Sequence, residues 1–152
     1  MIAWRPALDF VVPGQPVPKA RPRFARTKGG GVRTYTSNQT TAFETKIALF
    51  ASSIRWKGYL APSGVPVRLD ILAIFERPKR LNRKRDPEGL VPHAVRPDID
   101  NVAKAVLDGL SKAPARIFID DGQVQVLRIE AFYAEKGKGP RTEVKLFVPT
   151  EE

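Results

Sequence analysis

The chain has 152 residues, 42% of them hydrophobic and 28% charged, which is the composition of a globular protein with one buried core. It has no cysteine and one histidine, which excludes disulfides, thiolate metal sites and histidine-rich zinc sites; a bound metal would need oxygen ligands, which favours magnesium or manganese. The formal net charge of +10 points to a polyanionic partner, foremost nucleic acid.

The N-terminal part of the chain predicts short strands separated by irregular segments. Residues 8–12 form an apolar run that predicts a strand. Closely spaced proline and glycine then predict an ordered but irregular loop to about residue 24. Residues 28–31, with three consecutive glycines, predict a flexible tip, after which residues 32–36 return as a strand.

A first helix follows, with Ser37 as its predicted N-cap and an end near Gly58. Apolar residues recur at intervals of four, three and four, which is the spacing of one helical face. The predicted buried stripe consists of Phe43, Ile47, Phe50 and Ile54.

The second half of the chain alternates strands with one more helix. Residues 65–76 repeat with period two and predict a half-buried strand, and residues 77–96 predict a loop rich in proline and arginine. Residues 99–110 predict a helix, and residues 123–133 and 142–148 predict two further strands, the first with a bulge near residues 126–127. The stripe predicted for this helix consists of Ile99, Val102, Val106 and Leu110.

These elements predict one α+β domain over residues 1–152, with a mixed or antiparallel sheet and two main helices. No apolar run approaches the ~18 residues that a membrane helix needs, and Arg5 interrupts the place where a signal peptide would have its apolar segment. A cytoplasmic protein with no membrane partner is therefore expected.

Acidic residues are concentrated where the rest of the chain is basic, because residues 98–121 hold five aspartates. Each has an ordinary structural interpretation: Asp98 or Asp100 as a helix cap, Lys104 with Asp108 as a helical ion pair, and Asp121 as part of a turn. Taken together, however, crowded carboxylates resist ionisation unless a cation lies among them. The cluster therefore predicts a divalent metal site.

The same residues carry a resemblance to a known family. The run Asp98-Ile99-Asp100-Asn101-Val102-Ala103-Lys104, followed by Ile119-Asp120-Asp121 before a strand, resembles the signature of the RusA family of crossover junction endodeoxyribonucleases. The proline- and arginine-rich residues 14–24 are similar to the opening segment of many phage and prophage members. The resemblance spans residues 10–148. The chain departs from the family pattern in having longer loops at residues 25–32 and 77–95, so its junction and sequence preferences need not match those of the family.

The resemblance implies a RusA-like fold and a magnesium-dependent nuclease, with Mn²⁺ as a substitute, that resolves four-way junctions or other branched DNA as a symmetric homodimer. It assigns metal binding to Asp98, Asp100 and Asp121, with Asp120 the less certain member of its pair. It assigns an essential catalytic role to Lys104.

Two segments, residues 19–33 and 77–85, each contain six basic side chains and no acidic one, and they are expected to flank the acidic residues. Solvated loops would explain either cluster alone, but their position beside an acidic site favours contact with DNA phosphates. The predicted DNA-binding residues are Lys19, Arg21, Arg23, Arg26, Lys28, Arg80, Arg83, Lys84, Arg85 and Arg96.

Two rival functions are also consistent with the sequence. The same residues suit a metal-dependent nuclease acting on flaps or single strands, and the basic composition alone suits a non-catalytic nucleic-acid-binding protein, such as a small RNA-binding module. The aspartate cluster argues against the second, since it would repel its own ligand. The single histidine, His93, has no partner readable from the sequence and is expected at the surface.

Overall fold

The fold is a mixed sheet with two helices. The computed structural model describes residues 2–20, 23–35, 37–54 and 60–150. For residues 23, 24 and 33–35 it describes only the backbone. The elements in chain order are β1 (Trp4–Pro13), β2 (Arg23–Arg26), β3 (Val32–Tyr35), α1 (Asn38–Ile54), β4 (Val67–Phe75), β5 (Val91–Pro92), α2 (Ile99–Ser111), β6 (Val124–Tyr133) and β7 (Arg141–Pro149). The predicted α+β class is confirmed.

The main sheet has five strands in the order β1-β7-β4-β6-β5. Strands β4 and β6 are parallel, whereas the other neighbouring pairs are antiparallel. Parallel neighbours need a crossover connection, and α2 lies within the one that joins β4 to β6. The predicted acidic motifs therefore lie on this crossover.

Period-two patterning sets which face of the sheet the helices cover. In β4 the side chains of Val67, Leu69 and Ile71 are buried, whereas Arg68 and Asp70 lie on the opposite face, as predicted. The buried face forms the main core with apolar residues of both helices, among them Phe43, Ile47, Val106 and Leu110. Burial of this apolar stripe holds α2 on the sheet.

The two helices touch at Gly109. A methyl group added there would lie 2.8 Å from the carbonyl oxygen of Glu44 and 2.8 Å from Cβ of Ile47, closer than a side chain can approach. The absence of a side chain at Gly109 therefore lets the backbones of α1 and α2 approach each other closely. As a result, Glu44 in α1 lies next to the part of α2 around Gly109.

Several sequence-based expectations need correction. The predicted irregular segment ends sooner than expected, because β2 begins at Arg23 and pairs with β3 as a separate hairpin. The predicted loop of residues 77–96 contains a 3-10 turn, Lys79–Leu81, and the short strand β5. Ile54 and Ile99, predicted as buried stripe residues, are 48% and 42% exposed, because each lies at a helix end beyond the edge of the core.

Other expectations are confirmed. Ser37 Oγ accepts a hydrogen bond from the Thr40 backbone N–H, so it caps α1, whose predicted end near residue 58 lies outside the described residues. The bulge in β6 falls at Gln125, where the register with β4 shifts by one residue. No helix in the described ranges is both long enough and apolar enough to cross a bilayer.

The prediction of a surface histidine is wrong. Pairing of β5 with β6 carries His93 onto the sheet, where its ring stacks on Phe75 at 4.2 Å between centroids and meets the Tyr133 ring edge-on at 4.8 Å. Its backbone N–H donates to the Ala131 carbonyl at 3.1 Å. His93 is thus a half-buried packing residue at the end of the segment that leads to α2.

Candidate active site

Two exposed carboxylates lie at the start of α2. Asp98 occupies the N-cap position in an extended conformation, but its side chain makes no capping hydrogen bond, and Asp100 lies in the first turn. Among the described residues neither carboxylate forms an ion pair. The side chain of Asp98 therefore does not cap α2, which is the structural role that the sequence suggests for it.

Lys104 lies one helical turn beyond Asp100 and contacts two carboxylates. Its Nζ is 2.6 Å from Asp121 Oδ2 and 3.3 Å from Asp108 Oδ1. The expected helical pair with Asp108 is thus present, and Asp121 adds a shorter contact from a different segment. The hydrogen bond to Asp121 is the main cause of a raised pKa of Lys104, so its ammonium is charged at neutral pH.

Asp121 begins a 3-10 turn, Asp121–Gln123, that precedes β6. Asp120 caps this turn, because its Oδ1 accepts the Gly122 backbone N–H at 3.1 Å. The hydrogen bond from Lys104, followed by a contribution from Asp120, holds the pKa of the Asp121 carboxyl below its usual value. The two neighbouring aspartates therefore differ: Asp120 shapes the backbone, whereas Asp121 faces Lys104.

The side chain of Gln123 fixes this turn. Its Oε1 accepts the backbone N–H groups of Ile119 and Asp120, at 2.8 and 3.1 Å. Its Nε2 donates to three carbonyl oxygens of the segment before β4, at distances of 2.8 to 3.2 Å, from Ala61, Pro62 and Val65. Gln123 thus connects the Asp121 turn to the segment that precedes β4.

Lys19, predicted to bind DNA, contacts two acidic side chains. Its Nζ is 2.6 Å from Glu44 Oε1 and 3.0 Å from Asp108 Oδ2, and its backbone N–H donates to the Asn101 carbonyl at 2.8 Å. Burial opposes the charge of Lys19, but hydrogen bonds to Glu44 and Asp108 outweigh it and raise its pKa. This segment is therefore docked on α2.

The remaining predicted DNA-binding residues lie on several different segments of the chain. The side chains of Arg26, Lys28, Arg80, Lys84, Arg85 and Arg96 are exposed, Arg21 lies outside the described residues, and only the backbone of Arg23 is described. Asp86 holds Arg83 in place. The backbone N–H of Arg83 donates to Asp86 Oδ2 at 2.8 Å, and Nε of Arg83 donates to the same oxygen at 3.3 Å. Lys136 Nζ also donates to the Arg83 carbonyl at 2.7 Å, so this loop is an anchored element.

The donor chemistry suits a hard divalent cation, since Asp98, Asp100 and Asp121 offer carboxylate oxygens close to a lysine. Within the described ranges, however, no three acidic or histidine side chains are gathered closely enough to hold a metal. The structure brings Asp121 and Lys104 together and places Asp98 and Asp100 at the adjacent helix start.

Sequence reasoning missed Glu44 and Gln123. Glu44 carried a readable signal, because a charged residue stands on the apolar face of α1, next to Phe43 and one turn before Ala48, and it is buried there. Gln123 carried none, since its partners lie about sixty residues away in the chain.

Comparisons with known proteins match most of the chain. The profile of a family described as "Endodeoxyribonuclease RusA" matches residues 13–147, which includes every acidic residue discussed above. The chain is also similar to "Uncharacterized protein YqaN" of Bacillus subtilis (strain 168), with 33% identity over 144 residues that cover 91% of this chain and 94% of the relative.

Proposed function

Because this chain belongs to the RusA family of endodeoxyribonucleases, we propose that it is a magnesium-dependent enzyme that resolves four-way DNA junctions by paired nicks. The observation that carries the proposal is the contact between Lys104 and Asp121, with the unpaired carboxylates of Asp98 and Asp100 at the adjacent helix start. Within the described residues both aspartates are exposed and form no ion pair, so their carboxylate oxygens are available to a cation.

Asp98, Asp100 and Asp121 would hold Mg²⁺, or Mn²⁺ in its place, and the ion would supply an activated water and a Lewis acid for the phosphate. The other steps fall to the chain itself. Lys104 presents a charged ammonium at the same place, where it can neutralise charge that develops on the phosphate oxygens. Asp120 keeps the Asp121 turn in shape through its cap and is not a ligand in this proposal.

The exposed basic residues would bind the DNA backbone. Arg26 and Lys28 extend from the β2–β3 hairpin, Lys84 and Arg85 from the anchored loop, and Arg96 from the segment before α2. Contacts of this kind position DNA without reading its sequence. Their spread on different elements suits a branched substrate better than one straight duplex.

Resolution of a four-way junction requires two nicks on opposed strands. A homodimer with two-fold symmetry presents two sites in a fixed relation and is the commonest closed assembly. We therefore propose a homodimer in which both Asp98, Asp100 and Asp121 sets open on the same side.

A second candidate function uses the same residues on flaps or other branched DNA. It is kept because the same carboxylates and lysine would serve hydrolysis of a phosphodiester in any branched DNA. Relative cleavage rates on a junction, a flap and a linear duplex separate the two candidates.

The test is cleavage of a synthetic four-way junction in Mg²⁺ or Mn²⁺ by the wild-type chain and by Asp100→Asn. The variant should bind the junction at least as tightly, because it removes a negative charge near phosphates, and should not cleave it. Asp70→Asn, on the opposite face of the sheet, is the matched control and should cleave normally. Comparable cleavage by Asp100→Asn would show that the metal assignment is wrong.

A further inference from the structure

Six charged side chains form a continuous series of contacts from α1 to the Asp121 turn. The series alternates in sign and runs through Lys112, Glu44, Lys19, Asp108, Lys104 and Asp121, and we refer to it as the ion-pair network. Its members come from α1, α2, the segment before β2 and the turn before β6. Four separate segments therefore meet through charge beside the candidate active site.

Asp108 occupies the centre of the ion-pair network and uses both of its oxygens. Oδ1 is 3.3 Å from Lys104 Nζ, and Oδ2 is 3.0 Å from Lys19 Nζ. A carboxylate held at both oxygens has little freedom to turn. Lys104 therefore contacts a fixed acceptor.

Lys19 is itself anchored from two sides. Its ammonium contacts Glu44, whose side chain is only 8% exposed, and its backbone N–H is bonded to Asn101 in the first turn of α2. The backbone of Glu44 lies where the two helices approach each other closely at Gly109. The position of Asp108 thus depends on the packing of α1 against α2.

We propose that Asp108 and Lys19 are positioning residues for Lys104: Lys19 fixes the Asp108 carboxylate, and Asp108 holds the Lys104 ammonium at the reacting phosphate. The inference rests on the proposed function, in which Asp121 is a metal ligand. Once Asp121 binds the ion, Asp108 is the acidic partner left to Lys104 among the described residues. A lysine side chain without a fixed acceptor would sample many rotamers and lose its placement.

The competing explanation is that these contacts only stabilise the fold. A helical ion pair between Lys104 and Asp108 is ordinary, and Lys19 neutralises a buried glutamate. A purely structural role would lower the melting temperature, and its effect on cleavage would be the same whether or not Lys104 is present. A positioning role acts through Lys104 and disappears when Lys104 is removed.

The experiment is a double-mutant cycle on single-turnover cleavage at saturating junction. Asp108→Asn should slow cleavage about tenfold to a hundredfold in the wild-type background, with junction affinity nearly unchanged. In a Lys104→Ala background the same change should have no further effect. An equal loss in both backgrounds would overturn the proposal.

Lys19 is tested by its own pair of variants. Lys19→Ala should slow saturated cleavage about tenfold, and Lys19→Arg should restore most of the rate because it can still contact both carboxylates. If Lys19 binds phosphate instead, Lys19→Ala weakens binding and lowers the salt slope by about one without changing the saturated rate, which contradicts a positioning role. Lys145→Ala is the matched control: it removes an exposed lysine from β7 on the face of the sheet opposite the helices, and saturated cleavage should be unchanged.

A readout independent of cleavage separates this inference from the proposed function. If the wild-type chain nicks no branched DNA, the proposed function fails, but the order of the Lys104 side chain is still measurable by NMR with and without Mg²⁺. Asp108→Asn should make that side chain more mobile, most of all with Mg²⁺ present. If the order of the Lys104 side chain is unchanged in Asp108→Asn, the inference is wrong, whether or not the chain cleaves DNA.

Discussion

Lys104 Nζ donates to Asp121 Oδ2 at 2.6 Å, so a lysine ammonium occupies one oxygen of a carboxylate that is also a proposed metal ligand. A divalent cation that binds Asp121 must compete with this ammonium and is repelled by it. Removal of the lysine should therefore strengthen metal binding even as it slows cleavage.

We expect Lys104→Met to bind Mn²⁺ about tenfold more tightly than the wild-type chain, because a like charge a few ångströms away is lost. Calorimetric titration or paramagnetic resonance of Mn²⁺ measures the change. Lys112→Met, which removes a charge from the far end of the ion-pair network, is the control and should leave the affinity nearly unchanged. Weaker binding in Lys104→Met would contradict a metal site at Asp121.

The Gln123 side chain should control both stability and the placement of Asp121. Gln123→Glu keeps the two acceptor contacts to Ile119 and Asp120 but replaces a donor to three carbonyls with an oxygen that repels them. The free energy of unfolding should fall by about 1–3 kcal/mol, and the cleavage rate should fall with it. Gln125→Glu, an exposed change two residues later in β6, should alter neither in chemical denaturation and cleavage assays.

The anchored loop should contribute to DNA affinity through its unpaired cations. Lys84→Ala with Arg85→Ala should weaken binding to every DNA tested and lower the slope of log affinity against log salt by about two. Arg83→Ala should change the slope less, because Arg83 is held by Asp86. Binding titrations from low to moderate salt measure these slopes, and an unchanged slope in the double variant would show that the loop is solvated surface.

Acid stability should depend on Glu135. The hydrogen bonds from Arg141, at 3.0 and 3.1 Å, are the main cause that lowers the pKa of Glu135 to about 2. Because the folded-state pKa lies below the ordinary value of 4.5, the contribution is complete above about pH 5 and is lost as the pH falls toward 2.

The variant Glu135→Gln should therefore be less stable than the wild-type chain near neutral pH, and the difference should shrink as the pH is lowered through this window. Melting temperatures at a series of pH values measure it. Glu88→Gln is the control, since its side chain is 85% exposed and its contact with Lys136 is screened by water. A constant difference at all pH values would show that the Arg141 contact does not control the titration.

Elements with strong periodicity were predictable from the sequence. The alternation of Val67, Leu69 and Ile71 and the helical spacing of Val102, Val106 and Leu110 each follow from burying one face, so local pattern and tertiary structure agree. The hairpin of β2 and β3 was only half found, because four-residue strands hold too few residues to show a period.

The candidate site was predictable only where its residues are close in sequence. Asp98, Asp100 and Lys104 share the start of one helix, and Asp121 belongs to the same aspartate-rich stretch, residues 98–121. The contacts of Lys19 with Glu44 and of Gln123 with Pro62 join residues 25 and 61 positions apart. Such contacts depend on how helices pack and where strands pair, which local patterns do not encode.

The ion-pair network contains three cations and three anions, so the net charge of +10 comes from residues outside it. Long-range attraction toward DNA therefore belongs to the periphery, and the ion-pair network beside Asp121 is electrically balanced. Ionic strength should act on encounter: the association rate falls steeply with salt, while the conversion of DNA already bound changes little. In the proposed function, different sets of charges therefore govern the approach of DNA and its cleavage.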